Sequence, residues 1–126
     1  MQDITPLILE GKKTIDSYGE SGFTISKEKF NSSVVVFPDE VLLWNVESFD
    51  GLDESSFAKI LSKSDDIDLL LLGVGKEFKF LDSKLVKMLN KVGISVESMD
   101  TGAACRTYNV LLSEGRKVAA ALISLQ

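Results

Sequence analysis

The sequence predicts an α/β fold: a three-layer single domain over residues 1–126, with a mixed central sheet, N-terminal β-hairpins and three helices. Three observations predict it. The second half alternates apolar runs with amphipathic segments, the pattern of βαβ crossovers and parallel strands. Two of those runs, Ile67–Leu72 and Val118–Ile123, are apolar at nearly every position, as befits strands covered on both faces. The first half breaks into short apolar runs separated by turn residues and shows no helical period.

Taken in order, Ile4–Leu9 is a candidate strand, followed by a turn at Gly11-Lys12-Lys13. Ile15–Tyr18 and Phe23–Ile25 flank Gly19-Glu20-Ser21-Gly22 and should form a hairpin. Ser33–Phe37 stops at Pro38-Asp39, and Val41–Trp44 follows directly, so these two runs should also pair. Asp53 can cap a short helix whose apolar face is Phe57, Ala58, Ile60 and Leu61. Asp82 caps a second, with Leu85, Met88, Leu89 and Val92 at helical spacing and Gly93 just past its end. Ile94–Met99 is the next strand. Thr101 is a candidate N-cap for the third helix, which ends near Gly115 and presents Ala104, Tyr108, Leu111 and Leu112 to the core. The alanines of Val118–Ile123 let covering helices approach closely.

The 126 residues match one ordinary domain, long enough to bury roughly two-thirds of its unfolded surface. With 44% hydrophobic and 26% charged residues the composition is globular. The net charge of −5 argues against nucleic-acid binding, which needs clustered Lys and Arg. Histidine is absent and cysteine occurs once, which removes Ser-His and Cys-His dyads and the usual zinc sites. No metal or other cofactor is expected, and an enzyme is the less favoured expectation. No run is long enough to span a membrane. The start, Met1–Pro6, has neither a basic n-region with an apolar core nor the Arg-rich character of a transit peptide. With one thiol, the expectation is therefore cytoplasmic rather than mitochondrial matrix.

Two corners concentrate chemistry. Gly73-Val74-Gly75-Lys76 leaves a buried run, as phosphate loops do, but Phe78 stands where a dinucleotide fingerprint needs glycine and the P-loop spacing is missing. A tight strand-exit turn explains the same glycines. Asp100-Thr101-Gly102 opens the third helix, which carries Cys105 and Arg106. A helix N-terminus and a neighbouring cation favour thiolate, whereas packing among alanines favours a buried neutral thiol, the commoner case. If their strands are neighbours, the corners frame a crevice at the carboxyl edge of a parallel sheet, where ligands of open α/β folds gather. Its residues would be Gly73, Gly75, Lys76, Asp100, Thr101, Gly102, Cys105 and Arg106, a small-anion site by chemistry. Lys84, Lys87 and Lys91 share one face of the second helix and read as a solvated face. Trp44 and Phe49 suit either core or an exposed anchor.

The run Met99–Leu112, followed by Glu114-Gly115-Arg116-Lys117-Val118-Ala119-Ala120-Ala121-Leu122, resembles the signature of a small domain family. That family includes respiratory complex I assembly factor 3, the adipogenesis-associated Mth-type domain protein, and bacterial and archaeal proteins of unknown function. Ile15, Tyr18, Gly22-Phe23, Pro38, Trp44 and Leu72-Gly73-Val74-Gly75 resemble it too, so the likeness covers nearly the whole chain. Ser32 departs where the family often has glycine, and Leu81-Asp82 where prolines are common. The resemblance implies a three-layer α/β fold with a mixed sheet, and it carries no catalytic assignment. It implies a non-enzymatic binding or assembly-factor-like domain, linked to respiratory complex assembly, with another protein as partner. The alternative is a small-molecule (anion) binding protein or an enzyme using the Gly73–Lys76 and Asp100–Arg106 crevice.

Overall fold

The computed structural model describes residues 2–4 and 11–125. Beyond Ile4, the strand expected over Ile4–Leu9 lies outside the described residues. The first half builds a four-stranded antiparallel sheet in chain order: β1 (Gln2–Asp3), β2 (Ile15–Gly19), β3 (Gly22–Ile25) and β4 (Glu28–Phe30). The Gly19–Gly22 turn closes the expected hairpin, with Tyr18 opposite Phe23.

The remaining strands form a five-stranded mixed sheet. They are β5 (Val34–Val36), β6 (Val41–Leu43), β7 (Leu69–Gly73), β8 (Ser95–Met99) and β9 (Val118–Leu122), in the order β6-β5-β9-β7-β8. β5 runs antiparallel to β6 and β9, whereas β7 runs parallel to both β8 and β9. The two-sided apolar runs thus take interior places, β9 at the centre and β7 beside it. Three helices complete the fold: α1 (Ala58–Ser62), α2 (Ser83–Lys91) and α3 (Thr101–Ser113).

Alternation along the strands separates two cores. On one face of the mixed sheet, Val35, Leu70, Leu72, Ala119 and Ala121 meet Leu85 and Leu89 of α2, Ile60 of α1, Phe57 and Trp44. On the other, Val34, Val36, Leu71 and Ala120 meet α3 through Ala104, Cys105, Tyr108 and Leu112. The antiparallel sheet joins this second core through Ile15, Tyr18, Phe23 and Ile25. Each fully buried large side chain contributes about 1.5–3 kcal/mol of transfer free energy.

Several expectations shift in detail. Asp53 caps a 3-10 turn, Glu54–Phe57, that precedes α1, and Ala58 faces solvent. On α2 the apolar stripe is Leu85 and Leu89 flanked by Val86 and Met88, while Val92 is exposed because the helix ends before it. Trp44 is buried: its indole meets Phe57 edge-on at 6.1 Å and its Nε1–H donates to the Ser56 carbonyl at 2.7 Å. Phe49 is half-buried against the same core. Lys84, Lys87 and Lys91 are exposed.

Candidate functional site

Because β7, β8 and β9 are parallel, their carboxyl ends share one edge of the sheet. The two corners are therefore brought together, and what joins them is Thr101. Its hydroxyl accepts from Gly75 N–H at 2.9 Å and donates to the Ile123 carbonyl at 2.9 Å. Its own N–H donates to Gly75 O at 2.9 Å. One buried side chain thus ties three strand exits. The N-cap of α3 is Asp100 rather than Thr101. Asp100 has the extended backbone that a cap requires, and its carboxylate accepts from Ala103 N–H at 2.9 Å. Thr101 already lies in the helix, where its hydroxyl serves the neighbouring strands instead. Gly75 has φ +111, the left-handed freedom expected of a strand-exit turn. Gly73 lies so close to α3 that an added Cβ would sit 3.0 Å from the Thr101 Cα.

The start of α3 is roofed by the antiparallel sheet. The Tyr18 ring covers Gly102, where a Cβ would lie 2.9 Å from the ring edge and from the hydroxyl. Arg106 is exposed and donates from Nη1 to that hydroxyl. Further along, Asn109 behaves as an extra strand. Its Oδ1 accepts from Ile15 N–H at 3.0 Å and its Nδ2 donates to Ile15 O at 2.8 Å. The buried face of α3 is accordingly wider than Ala104, Tyr108, Leu111 and Leu112. It takes in Cys105 and Asn109, and Leu111 sits at its margin.

Cys105 has no exposed surface. Burial pushes its thiol far above the ordinary value, and Arg106 opposes this only in part. Tyr108 is raised in the same direction by burial. Of the eight residues proposed for a crevice, Gly73, Thr101, Gly102 and Cys105 are thus interior, and Asp100 and Arg106 are engaged with Ala103 and Tyr18. Gly75 and Lys76 do line open space, a cavity of about 230 Å³ shared with Phe49, Lys79 and Ser124. Lys76 pairs with Glu20 at 3.1 Å, both well exposed, so the pair adds little stability. Next to it lies a larger polar hollow of about 630 Å³ between Asn31–Ser33, Asn45–Ser48 and Ser124.

The residues that sequence reasoning passed over are Tyr18 as a roof, Asn109 as a clamp, and a pair of aromatics in the β7–α2 connection. Phe78 and Phe80 stack edge-to-face, with centroids 4.7 Å apart and planes at 82°. They remain 51% and 83% exposed, beside Leu81, Val86 and Val96. Asn109 is visible in the sequence only as a polar residue four positions after Cys105 on an otherwise apolar face.

Residues 15–123 match the model of a family described as a protein of unknown function (DUF498/DUF598). The chain belongs to this family. It is 37% identical to the NADH dehydrogenase [ubiquinone] 1 alpha subcomplex assembly factor 3 of Xenopus tropicalis, over 89% of this chain and 61% of that protein. It is 35% identical to an uncharacterized protein of Rhodobacter capsulatus, over 91% of this chain and 87% of the other. The chain thus spans about three-fifths of the length of the animal assembly factors it matches. A crystal structure from Bartonella henselae, called an outer membrane protein, superposes with a TM-score of 0.85 at 34% identity, covering 92% of this chain and 98% of that one. A Mth938-like domain from Bordetella pertussis gives 0.83 at 24% identity over 98% and 92%, a likeness of fold. The expected family and three-layer fold are borne out. Among the described residues no helix is long and apolar enough to cross a membrane.

Proposed function

We propose that this domain is a non-enzymatic protein-binding module that assists assembly of a respiratory NADH dehydrogenase, acting on the cytoplasmic side. The observation that carries this reading is the 37% identity to assembly factor 3 over 89% of the chain. The fate of the reactive-looking residues supports it. Thr101, Cys105 and Asn109 are consumed in packing, and the large exposed apolar groups are elsewhere. The experiment is deletion of the encoding gene, followed by native electrophoresis of the membranes with an NADH dehydrogenase activity stain. Loss of the full-size complex with accumulation of smaller pieces is expected. A complex of normal size and amount would overturn the reading.

A small-anion site at the Gly75–Lys76 corner is the second proposal, favoured by Lys76 and Lys79 lining the cavity beyond β7 and β9. It ranks below the first because Asp100 already caps α3 and Tyr18 covers Gly102. Titration with inorganic phosphate, followed at the Gly75 and Lys76 amides, tests it. Shifts that saturate support a site, and unchanged amides remove it.

A further inference from the structure

We infer that the outer edge of β8 is the docking site for an extended segment of a partner protein, one that places a lysine or arginine opposite Glu97 and apolar residues on either side of it. This names a surface for the protein-binding reading above and rests on it.

β8 ends the mixed sheet, with β7 on its inner side and no described strand on its outer side. Ser95 N–H bonds to Asp68 O, and Met99 O accepts from Val74 N–H, so the odd-numbered residues turn their backbone groups inward. Alternation then turns the N–H and C=O of Val96 and Ser98 outward, a ready template for another strand. Neither residue takes part in any tertiary hydrogen bond among the described residues.

The side chains define what fits. On the α2 side of this edge, Phe78, Phe80, Leu81, Val86 and Val96 line a hollow of about 270 Å³ together with Glu97 and Ser98 of β8 itself. Two stacked phenyl rings exposed this far form a contiguous apolar surface, the kind that marks an interaction site. Residues of an added strand alternate between faces, so every second one would lie on these rings. Its other residues would share the face of Glu97, the central, exposed residue of β8.

Charge decides the occupant. A second copy of this chain, pairing antiparallel about the middle of β8, would set Glu97 against Glu97, and like charges directly opposite destabilise a strand pair. A cation opposite Glu97 reverses the sign. Glu97 therefore disfavours self-pairing and selects a heterologous strand, the combination that strand addition uses for affinity and specificity.

The probe is a short synthetic peptide that alternates valine with polar residues and carries one lysine at its centre, compared with a peptide that differs only in a central glutamate. Binding is followed by NMR at up to about millimolar peptide. The lysine peptide should shift the Val96 and Ser98 amides and slow their exchange, and should bind roughly threefold to tenfold better than the glutamate peptide. Glu97→Lys should invert that preference. Ser98→Pro removes an outward N–H and no ladder bond, so the variant should fold normally and lose binding. Unchanged Val96 and Ser98 amides, equal affinity for the two peptides, or a folded Ser98→Pro variant that binds normally would each overturn the inference. Self-association abolished by Ser98→Pro would overturn it too. The gene deletion separates this from the assembly reading. If Ser98→Pro fully restores the complex in the deletion strain, the edge falls and the assembly role stands. If the deletion leaves the complex intact while the lysine peptide docks at β8, the reverse holds.

Discussion

The α3 side and the outer α2 side of the mixed sheet invert the roles their sequences suggest. Met99–Asn109 holds the thiol, an arginine, a threonine and an acid beside a glycine turn, and nearly all of it is architecture. Thr101 ties strand exits, Gly102 lies under Tyr18, Cys105 is core, and Asn109 holds the second sheet. Glu77–Leu81 contains no motif, yet it presents two stacked phenyl rings to solvent beside an open strand edge. Polar atoms buried by a fold must be paired, so chemical variety in a packed segment is first evidence of stitching. Apolar surface left out of a core has no such internal purpose.

The comparison breaks most visibly at Asn109. Asn109→Ala leaves the Ile15 N–H and C=O without their partners in a buried setting. It should cost about 2–4 kcal/mol in urea unfolding and loosen the antiparallel sheet, seen as faster amide exchange in β2 and β3. A cost below about 0.5 kcal/mol, the scale of an ordinary surface change, would mean the clamp is incidental.

Thr101→Val keeps the shape and removes the hydroxyl that serves Gly75 and Ile123. A loss of about 1–3 kcal/mol is expected by the same measurement. Wild-type stability in this variant would show that the strand exits need no tie.

Cys105 supplies a test with a direction in pH. Its folded value is raised by burial above the ordinary 9.0, so the neutral thiol is favoured in the folded state. The stabilisation is complete below about pH 9 and is lost as pH climbs beyond it, by about 1.4 kcal/mol per unit. Between neutral pH and pH ~10 the wild type should therefore lose more stability than Cys105→Ala, whose residue 105 does not titrate. Native iodoacetamide labelling should be slow at every pH below unfolding. Cys105→Ser should cost about 1–3 kcal/mol, since a hydroxyl is harder to bury than a thiol. Rapid labelling with a low apparent pKa would move Cys105 from core to chemistry.

The smallest effect sharpens the other half. Phe80→Ser should change stability by less than about 0.5 kcal/mol, because the ring is 83% exposed. Weakened binding of the central-lysine peptide at unchanged stability is the outcome that separates a docking residue from a core one. A large loss of stability would assign Phe80 to the fold.

Much of this protein was determined by sequence alone. Ile67–Leu72 and Val118–Ile123 announce two-sided strands because apolar residues at consecutive positions point to opposite faces and both need cover. Asp82 and Leu85/Leu89 announce α2, and the Gly19–Gly22 turn its hairpin, because caps and turns are short-range physics. The Met99–Leu122 run revealed the family, one described by an unknown function. Tertiary structure decided the rest. Thr101 yields the cap to Asp100 because two strand exits, distant in sequence, arrive within reach of its hydroxyl. Asn109 becomes a clamp because Ile15, 94 positions away, brings an unpaired backbone to it. Phe78 and Phe80 stay outside, while α2 covers that face of the sheet with Leu85 and Leu89. Periodicity and capping act within a few residues and can be read along a chain, whereas the partner of a buried polar group, or the absence of one for an apolar group, is settled only by which distant segments meet.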